Sequence, residues 1–404
     1  MEKHLLNTID PVTVGERLVE ARRARRLTQQ QAAEELGVAR TTITAMEKGE
    51  RRPRATELVK LARLYGRSVG DFVRVEAKSR PNFVVQFRGR RGVEDASASV
   101  DIQRFGDFCR WYVELEEQLG APLPRRYPPV YDIANTPPER AAEEVATSER
   151  NRLGLGDGPI GNLWGLLETD VGLRVFAMTM ANGRVAGMFL YTEEYGGCIA
   201  VNANQPEERR RWSAAHEYGH FLTDRFRPEI SILNVHKRNT ESERFADAFA
   251  RHFLMPASGL SRRFEAIRRA KETPITPADV LELSHLYRVS AQAMTLRLEE
   301  LKLLPTGTWD RLKDLGFKPQ KARELMALSA QPEMPRLPLR YEALAAQAYE
   351  AGLLSEGQLA ERLGTDRVGA RERVQAIASE SQPDEEGQWR QASLDLTTPL
   401  VGVR

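Results

Sequence analysis

Six histidines occur in the 404-residue chain, and two of them fall in the run His216-Glu217-Tyr218-Gly219-His220. On a helix, residues four apart stand one above the other, so both imidazoles reach one ion. This is a zinc-binding pattern, with Glu217 aimed at the open coordination position, where it takes a proton from activated water. The flanking stretch ERRRWSAAHEYGHFL has helical composition. Two imidazoles leave a zinc site incomplete. Downstream, ESERFADAFARHFLMP reads as a second helix whose Glu243-x-x-x-Asp247 puts two carboxylates on one face. Glu243 is the expected third ligand, and Asp247 the expected acceptor for the free ring N–H of a liganding histidine, which fixes its tautomer. Glu241 is the alternative ligand, less well spaced from Asp247 for both to face one ion.

The remaining histidines are weaker candidates. His252 lies nine positions after Glu243, roughly 180° around a helix, and is expected to face away as a surface or packing residue. His236 falls on the loop between the two helices, where an oxyanion donor could sit, although an ordinary loop residue is the simpler reading. His4 and His285 have no partner in sequence.

Elements must position this constellation. Upstream, LRVFAM, GMFLY and CIAVN are short β-rich runs between turn signals. The strand carrying Ile199 and Val201 immediately precedes the His216 helix, so it is the expected sheet edge for an extended peptide beside the metal. Helix, sheet, HExxH helix and Glu helix, in that order, form the gluzincin arrangement.

At the other end, Met1–Arg80 carries net charge +6, which leaves −4 for the rest of a chain whose total is +2. The near-neutral total is therefore an average over a basic head and an acidic remainder. Two capping boxes, Thr13-x-x-Glu16 and Thr28-x-x-Gln31, open the first two helices. Gly37 ends the second, and a third follows after a tight turn from about Arg40 to Lys48, with Val38, Ile43 and Met46 toward the core. Leu58, Leu61, Ala62 and Tyr65 mark a fourth helix ending at Gly66, and Ser68 caps a fifth. Five short helices with a helix–turn–helix at their centre make a DNA-binding architecture.

Residues 12–73 resemble the Xre/Cro–lambda-repressor family of helix-turn-helix domains. The resemblance implies that Gln29 bonds phosphate and that Arg40, Thr41 and Thr44 read base edges, with Lys48, Arg51 and Arg52 on the backbone. Ala39 departs from the family's usual Ser or Thr cap, at a cost of about 1 kcal/mol. From about Pro137 to Pro305, the runs PIGNLWGLLETDVGLRVF, AVNANQPEERRRWSAAHEYGHFL, ESERFADAFARHFLMP and ITPADVLELSHLYRVSAQAMTLRLEELKLLP resemble the ImmA/IrrE metallopeptidases. That resemblance implies a zinc endopeptidase of a kind that commonly inactivates Xre-type repressors, some members carrying their own helix-turn-helix.

Between these parts, IQRFGDFCRWYVELEEQLG reads as a helix with Phe105, Phe108, Trp111, Tyr112 and Leu115 on one face, after a possible strand at Phe83–Phe87. APLPRRYPPVYDIANTPP is proline-rich and is expected to be a linker. Beyond the metal motifs, Ser290 caps a helix in a helix-turn-helix-like pair that lacks a basic cluster. After the proline-rich joint QPEMPRLPLR, Ser355 and Thr365 are the expected caps in a further trihelical unit, and ESQPDEEGQWR looks solvated.

The expected fold is mostly α with a small β-sheet. Its parts are a helix-turn-helix domain at 1–75, a connecting region at 76–135, a gluzincin-like peptidase core at 136–305 and a helical region at 306–404. Cys109 and Cys198 are the two cysteines, too far apart in sequence for a disulfide framework or a four-thiolate zinc site, so they are expected to be buried thiols in a reducing compartment. No apolar run is long enough for a membrane span and no secretory signal is visible, so a soluble, cytoplasmic protein is expected. The expected cofactor is Zn2+, and the expected partners are double-stranded DNA, a repressor as substrate and a second copy in a homodimer. Two functions compete: a transcriptional regulator whose zinc domain senses or processes a signal or repressor, and an endopeptidase delivered to DNA-bound repressors. A third is an antitoxin-like regulator with a purely structural zinc domain.

Overall fold

The computed structural model describes residues 10–73, 96–328 and 335–379, apart from 26, 68, 182, 184, 227–230 and 235–239. The chain separates into two compact units, Met1–Arg88 and Gly89–Arg404. The expected boundaries at 135/136 and 305/306 thus lie inside the second unit. The expected strand at Phe83–Phe87, Ser68, His4, His236 and the ESQPDEEGQWR run fall outside the described residues.

In the first unit the helices are α1 (Pro11–Ala24), α2 (Gln29–Leu36), α3 (Arg40–Glu47), α4 (Ala55–Tyr65) and α5 (Val69–Val73). The first cap differs from expectation. Asp10, not Thr13, caps α1, accepting from Val12 N at 3.3 Å, with Pro11 at the first helical position. Proline suits that position because its fixed φ is helical and it has no N–H to leave unpaired. The Thr28–Gln31 capping box forms, Gly37 closes α2 in the left-handed region at φ 73°, and Ala39 caps α3 without a side-chain bond. Val14, Leu18, Ile43, Met46, Leu58, Leu61 and Tyr65 form the core.

The second unit is built on a four-stranded sheet of β1 (Arg174–Met178), β2 (Val185–Thr192), β3 (Gly196–Asn202) and β4 (Ser231–Asn234), in the order β1-β3-β2-β4. β1 pairs parallel with β3, and β2 pairs antiparallel with both β3 and β4. The strand carrying Ile199 and Val201 is therefore internal rather than the expected edge. Consecutive strands suggest a meander, but the parallel β1–β3 pairing inserts β3 between its predecessors. Every residue of β3 is buried, as its unbroken apolar run requires of an internal strand. β1 and β4 are the outer strands.

The helices of this unit are α6 (Ala96–Gln118), α7 (Pro138–Arg152), α8 (Glu207–Asp224), α9 (Glu241–Leu254), α10 (Ala257–Ala270), α11 (Pro277–Tyr287), α12 (Ala291–Glu300), α13 (Thr308–Asp314), α14 (Pro319–Leu325), α15 (Leu339–Glu350), α16 (Glu356–Leu363) and α17 (Arg367–Ser379). α8 lies on one face of the sheet and α9 is held between α8 and α7. Val175, Ala177, Phe189, Ile199 and Val201 share a core there with Phe221, Phe245, Phe249 and Phe253.

The opposite face is covered by α6 and α15. Phe176 of β1 meets Phe105, Phe108 and Tyr112 of α6 and Tyr341 of α15 at ring separations of 5.5–6.4 Å. Arg174 and Arg340 both pair with the buried Glu116, at 2.6 and 2.7 Å. Cys109 and Cys198 are buried free thiols in contact on this face; burial, then the hydrogen bond to Cys198, push the Cys109 thiol well up.

The expected linker is instead fastened to the core. Tyr131 N donates to Leu222 O at 2.9 Å, Arg126 N to Val171 O at 3.0 Å, and Arg225 to Pro128 O at 2.5 Å. Ser355 caps α16 as expected, while before α17 it is Asp366, not Thr365, that accepts from a backbone amide, Gly369 N at 2.8 Å. No helix among the described residues is long and apolar enough to cross a membrane.

Candidate metal centre and nucleic-acid interface

His216 and His220 lie one turn apart on α8, and Glu243 enters from the first turn of α9. Their ligand atoms all fall within 4.8 Å of one another. His216 Nε2 is 3.1 Å from His220 Nε2, and Glu243 lies 3.4 Å from the first and 3.5 Å from the second. Glu243 Oε2 is buried with no hydrogen-bond partner among the described residues. Two imidazole lone pairs and a carboxylate oxygen converging in a buried space form a site suited to a divalent cation, and the nitrogen–oxygen donor set suits zinc. Glu241, the alternative ligand, is not part of the cluster.

Charge points the same way. Burial favours the neutral ring, yet the nearby carboxylates of Asp224, Glu243 and Glu217 push His220 up to about 9. His216 is likewise raised: burial is outweighed by its bond to Asp247 and by the nearby Glu243 carboxylate. Burial would raise the Glu243 carboxyl, but the two histidines hold it well below the usual range. This surplus of carboxylates around two imidazoles is the field that a bound cation relieves.

Asp247 accepts from His216 Nδ1 at 3.0 Å, which in the neutral ring leaves Nε2 unprotonated toward the cluster. Glu217 is fully buried on α8. Its carboxylate lies against Gly187 of β2, where an added Cβ would stand 2.7 Å from Glu217 Oε1. Gly219 makes a similar allowance between helices: a Cβ there would meet Ala246 and Phe249 of α9 at 3.2 Å. Behind the motif, Tyr218 donates to buried Glu149, which also accepts from Tyr131 at 2.8 Å and Arg152 at 2.7 Å. Sequence reasoning missed Gly187 and Glu149, which come from other elements and carry no local signal. It also missed Ser242 and Asp224, which contact His220.

His252 is buried and is not part of the His216–His220–Glu243 cluster. Its Nδ1 accepts from Arg297 at 3.2 Å. Burial and the Arg297 charge push it down to about 4. His285 is half-buried, its value lowered by burial and by Arg323 and Arg288.

In the first unit, Arg40, Thr41, Lys48 and Arg52 are exposed, and Arg51 pairs with Glu57 at 2.9 Å. Gln29 and Thr44 are committed inside the domain. Glu47 is buried and holds Arg22 through two bonds of 2.6 and 2.9 Å. It also accepts from Gln29 Nε2 at 2.8 Å, and the Thr44 hydroxyl lies 3.1 Å from Arg40 O and 3.3 Å from Gln29 Oε1. The starts of α2 and the face of α3 are thereby locked to one buried carboxylate.

The chain carries a metallopeptidase-type domain and, earlier in the sequence, a helix-turn-helix domain. Residues 168–299 match the family model of the IrrE N-terminal-like domain, and residues 18–72 match that of the helix-turn-helix family. The chain is thus an Xre-type helix-turn-helix domain fused to an IrrE/ImmA-like domain. No curated protein matches it. The crystal structure of Bacillus thuringiensis PlcR in complex with the peptide PapR7 and DNA aligns over 91% of this chain and 95% of that one, at 12% identity and a TM-score of 0.17. The crystal structure of ComR from Streptococcus suis aligns over 92% and 90%, at 10% identity and a TM-score of 0.16. Scores this low carry no argument about fold or function.

Proposed function

We propose that this chain is a DNA-binding transcriptional regulator whose second unit is a zinc-dependent endopeptidase acting on a protein signal or repressor. The observation that carries the reading is the convergence of His216, His220 and Glu243 within 4.8 Å, with Glu217 buried next to His216 on the same helix. A metal with a purely structural role would have no use for that carboxylate.

When bound by these three side chains, zinc supplies Lewis acidity toward a water molecule and a scissile carbonyl. The protein's own residues do the rest. Glu217 accepts the proton of the attacking water at its carboxylate and delivers it to the leaving amine nitrogen. Asp247 keeps the proton of His216 on Nδ1 and so orients the ring. The substrate backbone pairs along the outer side of β4, the outer strand that pairs with β2 around Gly187, a mode of holding that needs no particular side chain. In the first unit, Arg40 and Thr41 face base edges in the major groove, while Lys48, Arg51 and Arg52 bind the phosphate backbone. Gln29 bonds phosphate and Thr44 reads a base edge from positions set by Glu47. Two copies on a palindromic operator would make the functional species a homodimer.

The test pairs wild type with Glu217→Gln. The variant keeps its fold and its zinc, and loses cleavage of a co-encoded helix-turn-helix repressor by on the order of 100-fold or more. In gel shifts against the DNA upstream of its own coding sequence, both proteins bind with a steep dependence on salt. Cleavage that survives the substitution would sink the peptidase reading, and no shift even at low salt would sink the regulator.

A further inference from the structure

The two histidines of the cluster present the same atom to Glu243 but are held from behind in different ways. His216 Nδ1 meets a carboxylate directly, Asp247 Oδ1 at 3.0 Å. His220 Nδ1 does not, because Asp224 Oδ2 stops 3.8 Å away. A hydroxyl to one side of that gap reaches both groups. Ser242 Oγ is 3.2 Å from His220 Nδ1 and 2.6 Å from Asp224 Oδ2.

The direction of these bonds follows from proton counting. An ionised carboxylate only accepts, so the single proton of Ser242 goes to Asp224. Ser242 Oγ then has lone pairs but no proton for His220, and it accepts from His220 Nδ1–H. In the neutral ring that a metal ligand requires, that assignment leaves Nε2 of His220 unprotonated and facing Glu243. His220 is 4% exposed and Asp224 16%, so both bonds are sheltered from competing water.

Asp224 follows His220 by one turn on α8, and Ser242 immediately precedes Glu243 on α9. The hydroxyl therefore bridges the two helices that carry the ligands. We propose that Ser242 and Asp224 form a hydroxyl-bridged relay that sets the tautomer and ring orientation of His220, as positioning residues of the metal centre. The inference rests on the metal-centre reading above and concerns affinity rather than turnover.

Full-length wild type, Ser242→Ala, Ser242→Thr and Asp224→Asn are compared for zinc affinity by competition with a chromogenic chelator. Visible spectra of the cobalt(II)-substituted proteins and thermal unfolding accompany the titrations. Ser242→Ala is expected to weaken zinc binding about 10- to 100-fold and to alter the cobalt bands, as loss of a partner behind a ligand does. Ser242→Thr, which keeps the hydroxyl, restores binding to within about 3-fold of wild type on the same scale. Asp224→Asn preserves side-chain shape and is read in the same way if Ser242→Ala unfolds; it too weakens binding about 10-fold. Ser242→Ala with wild-type affinity and an unchanged spectrum overturns the relay, as does Ser242→Thr that binds no better than Ser242→Ala. A wild-type protein that takes up no zinc overturns the metal centre itself, and the two failures are thereby told apart.

Discussion

At the scale of single residues, the chain sorts its histidines by what faces each ring. His216 and His220 are surrounded by carboxylates and raised, whereas His252 accepts from Arg297 and is lowered to about 4. The latter has a measurable consequence. Above the ordinary value of 6.5 the ring is neutral in both folded and unfolded chains, so it adds no pH dependence there. Between 6.5 and about 4 only the unfolded chain takes up the proton, so stability falls as the pH falls, and below 4 the loss is complete. At roughly 1.4 kcal/mol per pH unit the total is about 3 kcal/mol. Urea unfolding of wild type against His252→Gln across this window is expected to show a shallower pH slope in the variant; equal slopes would refute the assignment. The HExxH pair and Glu243-x-x-x-Asp247 were legible in sequence because helical spacing brings each pair onto one face. Ser242 and Asp224 were not, since their meeting at His220 is made by the packing of two helices.

Elements position the site through close approaches. β2 runs past α8 at Gly187, where the absence of a side chain makes room for the Glu217 carboxylate. Gly187→Ala is expected to cost about 1–3 kcal/mol by overpacking and to lower peptide cleavage while zinc content stays at wild type. Thermal unfolding with zinc analysis reads this out, and a variant as stable and active as wild type would show that the contact is slack. In the first unit, α1, α2 and α3 meet at Glu47. Replacing it with Ala leaves Arg22 buried and unpaired, at an expected cost of about 3–5 kcal/mol, measured as the unfolding of that unit. Local structure here was largely legible: the capping box at Thr28, the stop at Gly37 and the apolar spacing of α4 all appear as read. Strand order was not. Nothing local in CIAVN says which strands flank it, although its unbroken apolar run was a sign of burial on both sides. Asp10-Pro11 was also an available signal for the start of α1, overlooked in favour of a threonine one turn later.

For the molecule, the notable departure from the sequence reading is how much chain outside the metal motifs belongs to the metal unit. The Pro-rich stretch read as a linker is bonded to the core at Val171 and Leu222, and the C-terminal α15 shares an aromatic face with α6 and β1. These contacts join residues far apart in sequence, which periodicity does not register. A fragment ending at residue 305 would lose α15, exposing Phe176 and stranding Arg174 and Glu116 without Arg340. Such a fragment is expected to aggregate, whereas one spanning 89–379 stays monodisperse in size-exclusion chromatography; a well-behaved shorter fragment would contradict this. The segment before α15 has a role of its own. Ala177 N on the outer strand β1 donates to Arg336 O at 3.0 Å, so the border of the sheet at this position is engaged by the chain's own backbone. An outer strand whose amide is already bonded within its own chain is a poorer template for pairing with another molecule.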